Sequence, residues 1–159
     1  MSSGHVQSLS SDELRELYRS LILDHAKNPR HFGKLDTATH TSEGINPLCG
    51  DKLRLQLEVD AEHRIRDAAF EGTGCAISVA SASLLTETII GLHEDEALAW
   101  FDDVTSHLTG TSDANGRDLG KLQALGGVRD FPARVKCATL AWHALRSAIE
   151  NTDEPVSTE

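Results

Sequence analysis

Three cysteines and one aspartate carry the chemistry available to this sequence: Cys49, Asp51, Cys75 and Cys137. Cys49 and Asp51 are separated only by Gly50 and precede a run of strict apolar–polar alternation. In an extended chain both point to the side of Leu53 and Leu55, the face expected to turn inward. A carboxylate there is costly unless something compensates it, and a metal ion would. Cys75 follows Gly72-Thr73-Gly74 where a helix should begin, and backbone N–H groups at a helix N-terminus stabilise a thiolate. Cys137 sits about a turn and a half into the last expected helix. Three thiolates and a carboxylate make a tetrahedral set for zinc, or ligands for an iron–sulfur cluster. Against both stands the plainer reading that free cysteines are small buried hydrophobes, and no C-x-x-C pair is present. An odd count of three, with no secretory signal, argues against disulfides and for reduced thiols.

Arg134 lies three residues before Cys137, on the same helix face, where it could offset the negative charge of such a site. Lys52 and Lys136 are further candidates, although a single basic residue is more often a solvated surface charge. The eight histidines show no H-E-x-x-H spacing and read as surface or loop residues. Neither a phosphate-binding glycine loop nor a G-x-S-x-G nucleophile motif occurs.

The elements that must position these residues are legible in the pattern. Ser10 with Glu13 three residues on forms a capping box. Leu14, Leu17, Leu21 and Ile22 then follow at helical spacing until Asn28-Pro29, since the residue before proline avoids the helical region. Residues 31–44 read as loop. Lys52–Asp60 alternates strictly and predicts a half-buried strand, with a second strand over Ile65–Glu71 in an antiparallel hairpin and a third over Ile45–Leu48. Helices are expected from Ala76 to Gly91 and from about Glu94 through Leu108, and a last one runs from about Pro132 through Ile149. Gly110–Gly120 reads as a mobile loop. The expected class is α+β, a small antiparallel sheet of about three strands packed against several helices. One domain over residues 10–150 carries a loop insertion at about 109–120, between a flexible stretch (1–9) and a polar tail (151–159).

A chain of 159 residues suits one domain, and 39% hydrophobic with 25% charged residues is ordinary for a soluble protein. Aromatics are only 4%, so the core must rest on Leu, Ile, Val and Ala. A net charge of −10 without a basic run argues against a nucleic-acid partner. No stretch approaches the roughly 20 apolar residues needed to cross a bilayer, and Met1–Ser11 lacks the regions of a signal peptide. No membrane partner is expected, and the expected location is the cytoplasm.

Four segments taken together resemble the SufU branch of the IscU/NifU-like proteins: Asp24-His25-Ala26-Lys27-Asn28-Pro29-Arg30, Asn46-Pro47-Leu48-Cys49-Gly50-Asp51, Gly72-Thr73-Gly74-Cys75-Ala76-Ile77-Ser78 and Phe131-Pro132-Ala133-Arg134-Val135-Lys136-Cys137-Ala138. They occur in that family's order and cover the chain from roughly Leu14 to Ile149. IscU-type scaffolds typically carry a histidine before the third cysteine and a Leu-Pro-Pro-Val-Lys motif nearby; here Lys136 precedes Cys137 and Phe131–Lys136 replaces the motif. The long stretch between Cys75 and Cys137 also resembles the insertion typical of SufU. The resemblance implies a zinc-dependent sulfurtransferase with one zinc per chain held by Cys49, Asp51, Cys75 and Cys137. It implies Cys49 as sulfur acceptor, freed when a histidine of the partner replaces it, and Arg134 as a residue in that exchange. The implied partners are a SufS-type, pyridoxal-phosphate cysteine desulfurase and downstream Suf scaffold proteins. The alternative on the same cysteines is a scaffold that assembles a [2Fe–2S] cluster.

Overall fold

The computed structural model describes residues 10–110, 119–150 and 156–157. Helix α1 spans Ser11–Lys27 and opens with the expected capping box: Ser10 Oγ accepts from Glu13 N–H at 3.1 Å, and Glu13 Oε1 accepts from Ser10 N–H at 3.3 Å. It stops at Asn28, ahead of Pro29. Strands β1 (His40–Asn46), β2 (Asp51–Val59) and β3 (Ile65–Thr73) form an antiparallel meander. Helices α2 (Ala76–Ile89) and α3 (Glu94–Thr109) follow, then a 3-10 segment (Gly120–Val128) and helix α4 (Pro132–Glu150). A two-residue strand β4 (Val156–Ser157) pairs parallel with β1, so the sheet order is β3-β2-β1-β4 and the sheet is mixed. The α+β class holds, with this short fourth strand added to the three expected.

The sheet presents one face to the helices. Leu53, Leu55 and Leu57 of β2 are buried while Lys52 and Arg54 stay exposed, the alternation the sequence announces. Helix α4 covers β1 and β2, with Leu140 packed on Gly44, and its Leu140, Trp142 and Leu145 are all fully buried. Helix α2 lies between α1, α4 and β3, and is buried almost all round. Its polar side chains are therefore bonded inside the core: Ser81 Oγ donates to Ala138 C=O at 2.6 Å, and Thr86 Oγ1 to Ser83 C=O at 2.8 Å.

The Asp24–Arg30 segment proves to be a staple. Arg30 pairs with Asp24 at 2.7 Å and donates from its guanidinium to Asn28 C=O at 2.9 Å. Arg30 N–H donates to Ser83 Oγ at 2.9 Å, and the fully buried His25 brings Nδ1 to 2.7 Å from the same hydroxyl. One serine of α2 thus fixes both the end of α1 and the chain leaving it.

Two expectations need correction. The third strand is His40–Asn46 rather than Ile45–Leu48, so the end of the stretch read as loop is strand. Its alternation is hidden because the inward positions are the small or polar Ser42, Gly44 and Asn46, where Leu or Val would have marked it. The 3-10 segment was not anticipated either. Leu119, Leu122, Leu125 and Val128 are all buried and recur every three residues, which is the 3-10 period. Residues 1–9 and 111–118, read as flexible stretch and loop, lie outside the described residues. Among the described residues no helix is long and apolar enough to cross a membrane.

Candidate metal centre

Strands β1 and β2 are joined by a tight turn in which Asn46 and Asp51 are directly paired and Gly50 takes φ +76°. A side chain at Gly50 would be strained there, and the turn lifts Cys49 to its exposed tip. Asp51, one residue further on, is already in the strand and only 1% exposed. Its Oδ2 accepts from Asn46 Nδ2 at 3.2 Å and its Oδ1 from Cys75 N–H at 3.0 Å. The carboxylate is therefore held by two donors from two different elements.

Cys75 is the N-cap of α2; its Sγ accepts from Ser78 N–H at 3.5 Å and it remains exposed. Gly74 before it is required for close approach. A Cβ at Gly74 would lie 2.5 Å from Asp51 Oδ1, closer than side chains tolerate. Cys137 is 2% exposed on α4, with Asn46 Nδ2 3.5 Å from its Sγ. One ligand atom each from Cys49, Asp51 and Cys137 lie within 4.8 Å of one another. Cys75 stands just outside that trio, with its thiol beside Cys137.

Burial pushes the Cys137 thiol far above its ordinary pKa, and Asp51 and the thiols of Cys75 and Cys49 push it the same way. Among the described residues no ion pair reaches Asp51. Asn46 Oδ1 is buried with no partner. A buried carboxylate and a buried thiol, joined by two exposed thiols and with no internal cation, form a donor set that fits one divalent ion of zinc character. Such an ion would reverse the pressure on Cys137 and hold it as thiolate.

The site opens into a groove of about 940 Å³ between α1, the 3-10 segment and the start of α4, lined in part by Cys49, Cys75 and Cys137. Arg134 lines the same groove and stacks its guanidinium over Phe131, 5.1 Å from the ring centroid. Lys52 lies on the exposed face of β2, turned from the site, and Lys136 is half-buried. Of the residues the sequence singled out, Cys49, Cys75, Cys137 and Arg134 line the groove, and Asp51 lies buried within 4.8 Å of Cys49 and Cys137. The sequence reading did not assign a role to Asn46 or Gly74, although both lie inside the segments singled out. The signal for Asn46 was its place opposite Asp51 across a four-residue turn.

The chain matches the NifU-like N-terminal domain family over residues 17–138 and belongs to it. It is 43% identical over 136 residues to the zinc-dependent sulfurtransferase SufU of Bacillus subtilis, covering 86% of this chain and 91% of that protein. It is 40% identical over 144 residues to the iron–sulfur cluster assembly scaffold protein IscU of Streptococcus pyogenes, covering 91% and 89%. Among solved structures it resembles the putative iron–sulfur cluster assembly scaffold protein for the SUF system from Fervidobacterium islandicum. That match has TM-score 0.75 and 36% identity, over 81% of this chain and 93% of that one.

Proposed function

We propose that this chain works in iron–sulfur cluster assembly as a zinc-dependent sulfurtransferase, accepting persulfide sulfur from a SufS-type cysteine desulfurase. One observation carries the reading. Cys49 is exposed at the tip of a turn and faces a groove, yet its thiol stays within 4.8 Å of the buried Asp51 and Cys137. An acceptor must be both reachable and activated, and this position supplies both.

Cys49, Asp51, Cys75 and Cys137 would hold the zinc. When bound it supplies a redox-inert positive charge that keeps neighbouring thiols deprotonated at neutral pH. The chain's own residues do the rest. The Cys49 thiolate attacks the outer sulfur of the donor's persulfide; a bond forms from Cys49 Sγ to that sulfur and the donor's S–S bond breaks. The donor leaves as a thiolate and takes up a proton, Cys49 becomes the persulfide, and no net oxidation occurs. A second exchange of the same kind passes the sulfur to a downstream Suf scaffold. Asp51, fixed by Asn46 and the Cys75 N–H, and the buried Cys137 keep the turn in place while Cys49 reacts. Arg134 on the groove wall offsets the negative charge gathered around the exchanging sulfurs.

A scaffold assembling a [2Fe–2S] cluster on the same residues is the second reading, favoured by the scaffold name of the Streptococcus relative. Lys136 before Cys137, where IscU-type scaffolds typically carry histidine, favours transfer instead. Elemental analysis of protein purified without oxygen tests the choice, followed by desulfurase turnover with Cys49→Ala. One zinc and no iron per chain, with stimulation lost in the variant, is the expected result. Iron with matching acid-labile sulfide, or stimulation intact without Cys49, would overturn it.

A further inference from the structure

The protein carries 25 acidic and 15 basic residues, yet among the described residues the groove over the metal centre is lined by three arginines and by no aspartate or glutamate. Arg15 and Arg19 are one helical turn apart on α1, and Arg134 faces them from α4. The acids of α1 lie elsewhere: of Asp12, Glu13, Glu16 and Asp24, none lines the groove. Arg15 does approach Asp12 at 3.7 Å, but both are well exposed, and such a pair contributes little and leaves the arginine free to be recruited.

Apolar groups frame the same opening. Leu23 of α1 lines the groove while 42% exposed, Leu48 beside Cys49 is 66% exposed, and Phe131 under Arg134 is 51% exposed. Tyr18 O–H donates to Gln123 Oε1 at 3.0 Å, tying α1 to the 3-10 segment and fixing the groove's width. A volume of about 940 Å³ lies at the upper end of the range for small-molecule sites and is open along one side, as a peptide segment requires. Arginine and aromatic side chains are the types enriched at interface hot spots, and the exposed leucines add apolar area around them.

We infer that this groove receives a segment of the persulfide donor that carries acidic residues beside apolar ones, with Arg15 and Arg19 pairing its carboxylates. A net-acidic protein repels an acidic partner at long range, so a local basic strip at the acceptor thiol selects both the partner and its approach. The inference rests on the sulfurtransferase reading only for the identity of the donor.

The test is direct binding, independent of sulfur transfer. Zinc-loaded protein, immobilised, is titrated with a SufS-type desulfurase by biolayer interferometry at about 50 and 300 mM salt. Arg15→Glu/Arg19→Glu is expected to weaken binding at least tenfold at low salt and to flatten the salt dependence. Arg15→Lys/Arg19→Lys should stay within about threefold of the parent. Zinc content and far-ultraviolet circular dichroism confirm that each variant is folded and loaded. Unchanged affinity in the charge-reversed variant would overturn the inference, as would absence of binding by the parent. So would a self-associated parent that the reversal converts to monomer, since the groove would then hold a second copy. Transfer that survives Cys49→Ala while binding and its arginine dependence stay intact would overturn the acceptor reading and leave this inference standing.

Discussion

Adding a single methyl group at Gly74 should weaken the candidate metal centre without replacing any of its ligand candidates. Gly74 does not take a positive φ, so alanine fits the backbone, and at such a position Gly→Ala ordinarily stabilises by about 0.4–1 kcal/mol through the unfolded chain. Here the new Cβ would stand 2.5 Å from Asp51 Oδ1 and 3.1 Å from its Cγ, against a floor near 3.0 Å for real contacts. The carboxylate cannot simply swing aside, because Asn46 Nδ2 and Cys75 N–H hold its two oxygens at 3.2 and 3.0 Å. Overpacking of this kind costs about 1–3 kcal/mol, so the sign of the substitution reverses to destabilisation. Disturbing the hydrogen bonds that orient a ligand typically lowers metal affinity about 10–100-fold. Gly127→Ala is the matched control, since its Cβ meets nothing within 4 Å. Zinc affinity is read by competition with a chromophoric chelator, and stability by urea unfolding of the metal-free protein. Zinc affinity within twofold of the parent in a folded Gly74→Ala protein would refute the claim that Asp51's position governs the site.

Ser83→Ala should cost about 1–3 kcal/mol in urea unfolding, because it strips the partner from both Arg30 N–H and the buried His25 Nδ1. Asp24→Ala should cost clearly less than Ser83→Ala, since its pair with Arg30 is open to solvent; equal losses would contradict the staple. Burial holds His25, His107 and His143 below their ordinary pKa, with a nearby arginine adding to each. These groups stay neutral in the fold and charge in the unfolded chain. Their contribution is therefore present above pH of about 6.5 and lost as pH falls below it. Unfolding curves from pH 8 to 5 should show falling stability below that point, and a flat profile would contradict it. In the metal-free protein the raised Cys137 pKa acts at the other end, because the unfolded thiol ionises while the folded one does not. Stability should fall by about 1.4 kcal/mol per pH unit above the ordinary thiol range, and Cys137→Ser should remove that slope.

What the sequence disclosed follows from which residues announce their environment. The alternation over Lys52–Val59 was readable because its inward positions are all leucine or valine, whereas β1 places Ser42, Gly44 and Asn46 inward and so reads as loop. Ser42 Oγ donates to Ala144 C=O at 2.6 Å, and Gly44 lets Leu140 pack against bare backbone, so α4 lies close on that strand. The inward residues of β1 are small because the helix is near, and only the fold reveals that. The three-residue period of Leu119, Leu122, Leu125 and Val128 was present but sits among glycines and polar residues that suggest loop. At the site, residue types and boundaries were enough to collect Cys49, Asp51, Cys75 and Cys137. The mutual 4.8 Å approach of three of them was not legible, because it depends on the Asn46–Asp51 pairing and on α4 crossing the hairpin end.

The same dependence explains how the site divides its labour between buried and exposed groups. Asp51 and Cys137 lie on a strand and a helix packed into the core, while Cys49 lies on a turn tip and Cys75 on a helix cap, both exposed. Two of the four ligand candidates are thus buried in the fold, and two are open to solvent. A purely structural centre gains from four rigid ligands. The proposed transfer would need an accessible thiol at one position, and Cys49, exposed at the turn tip, offers it.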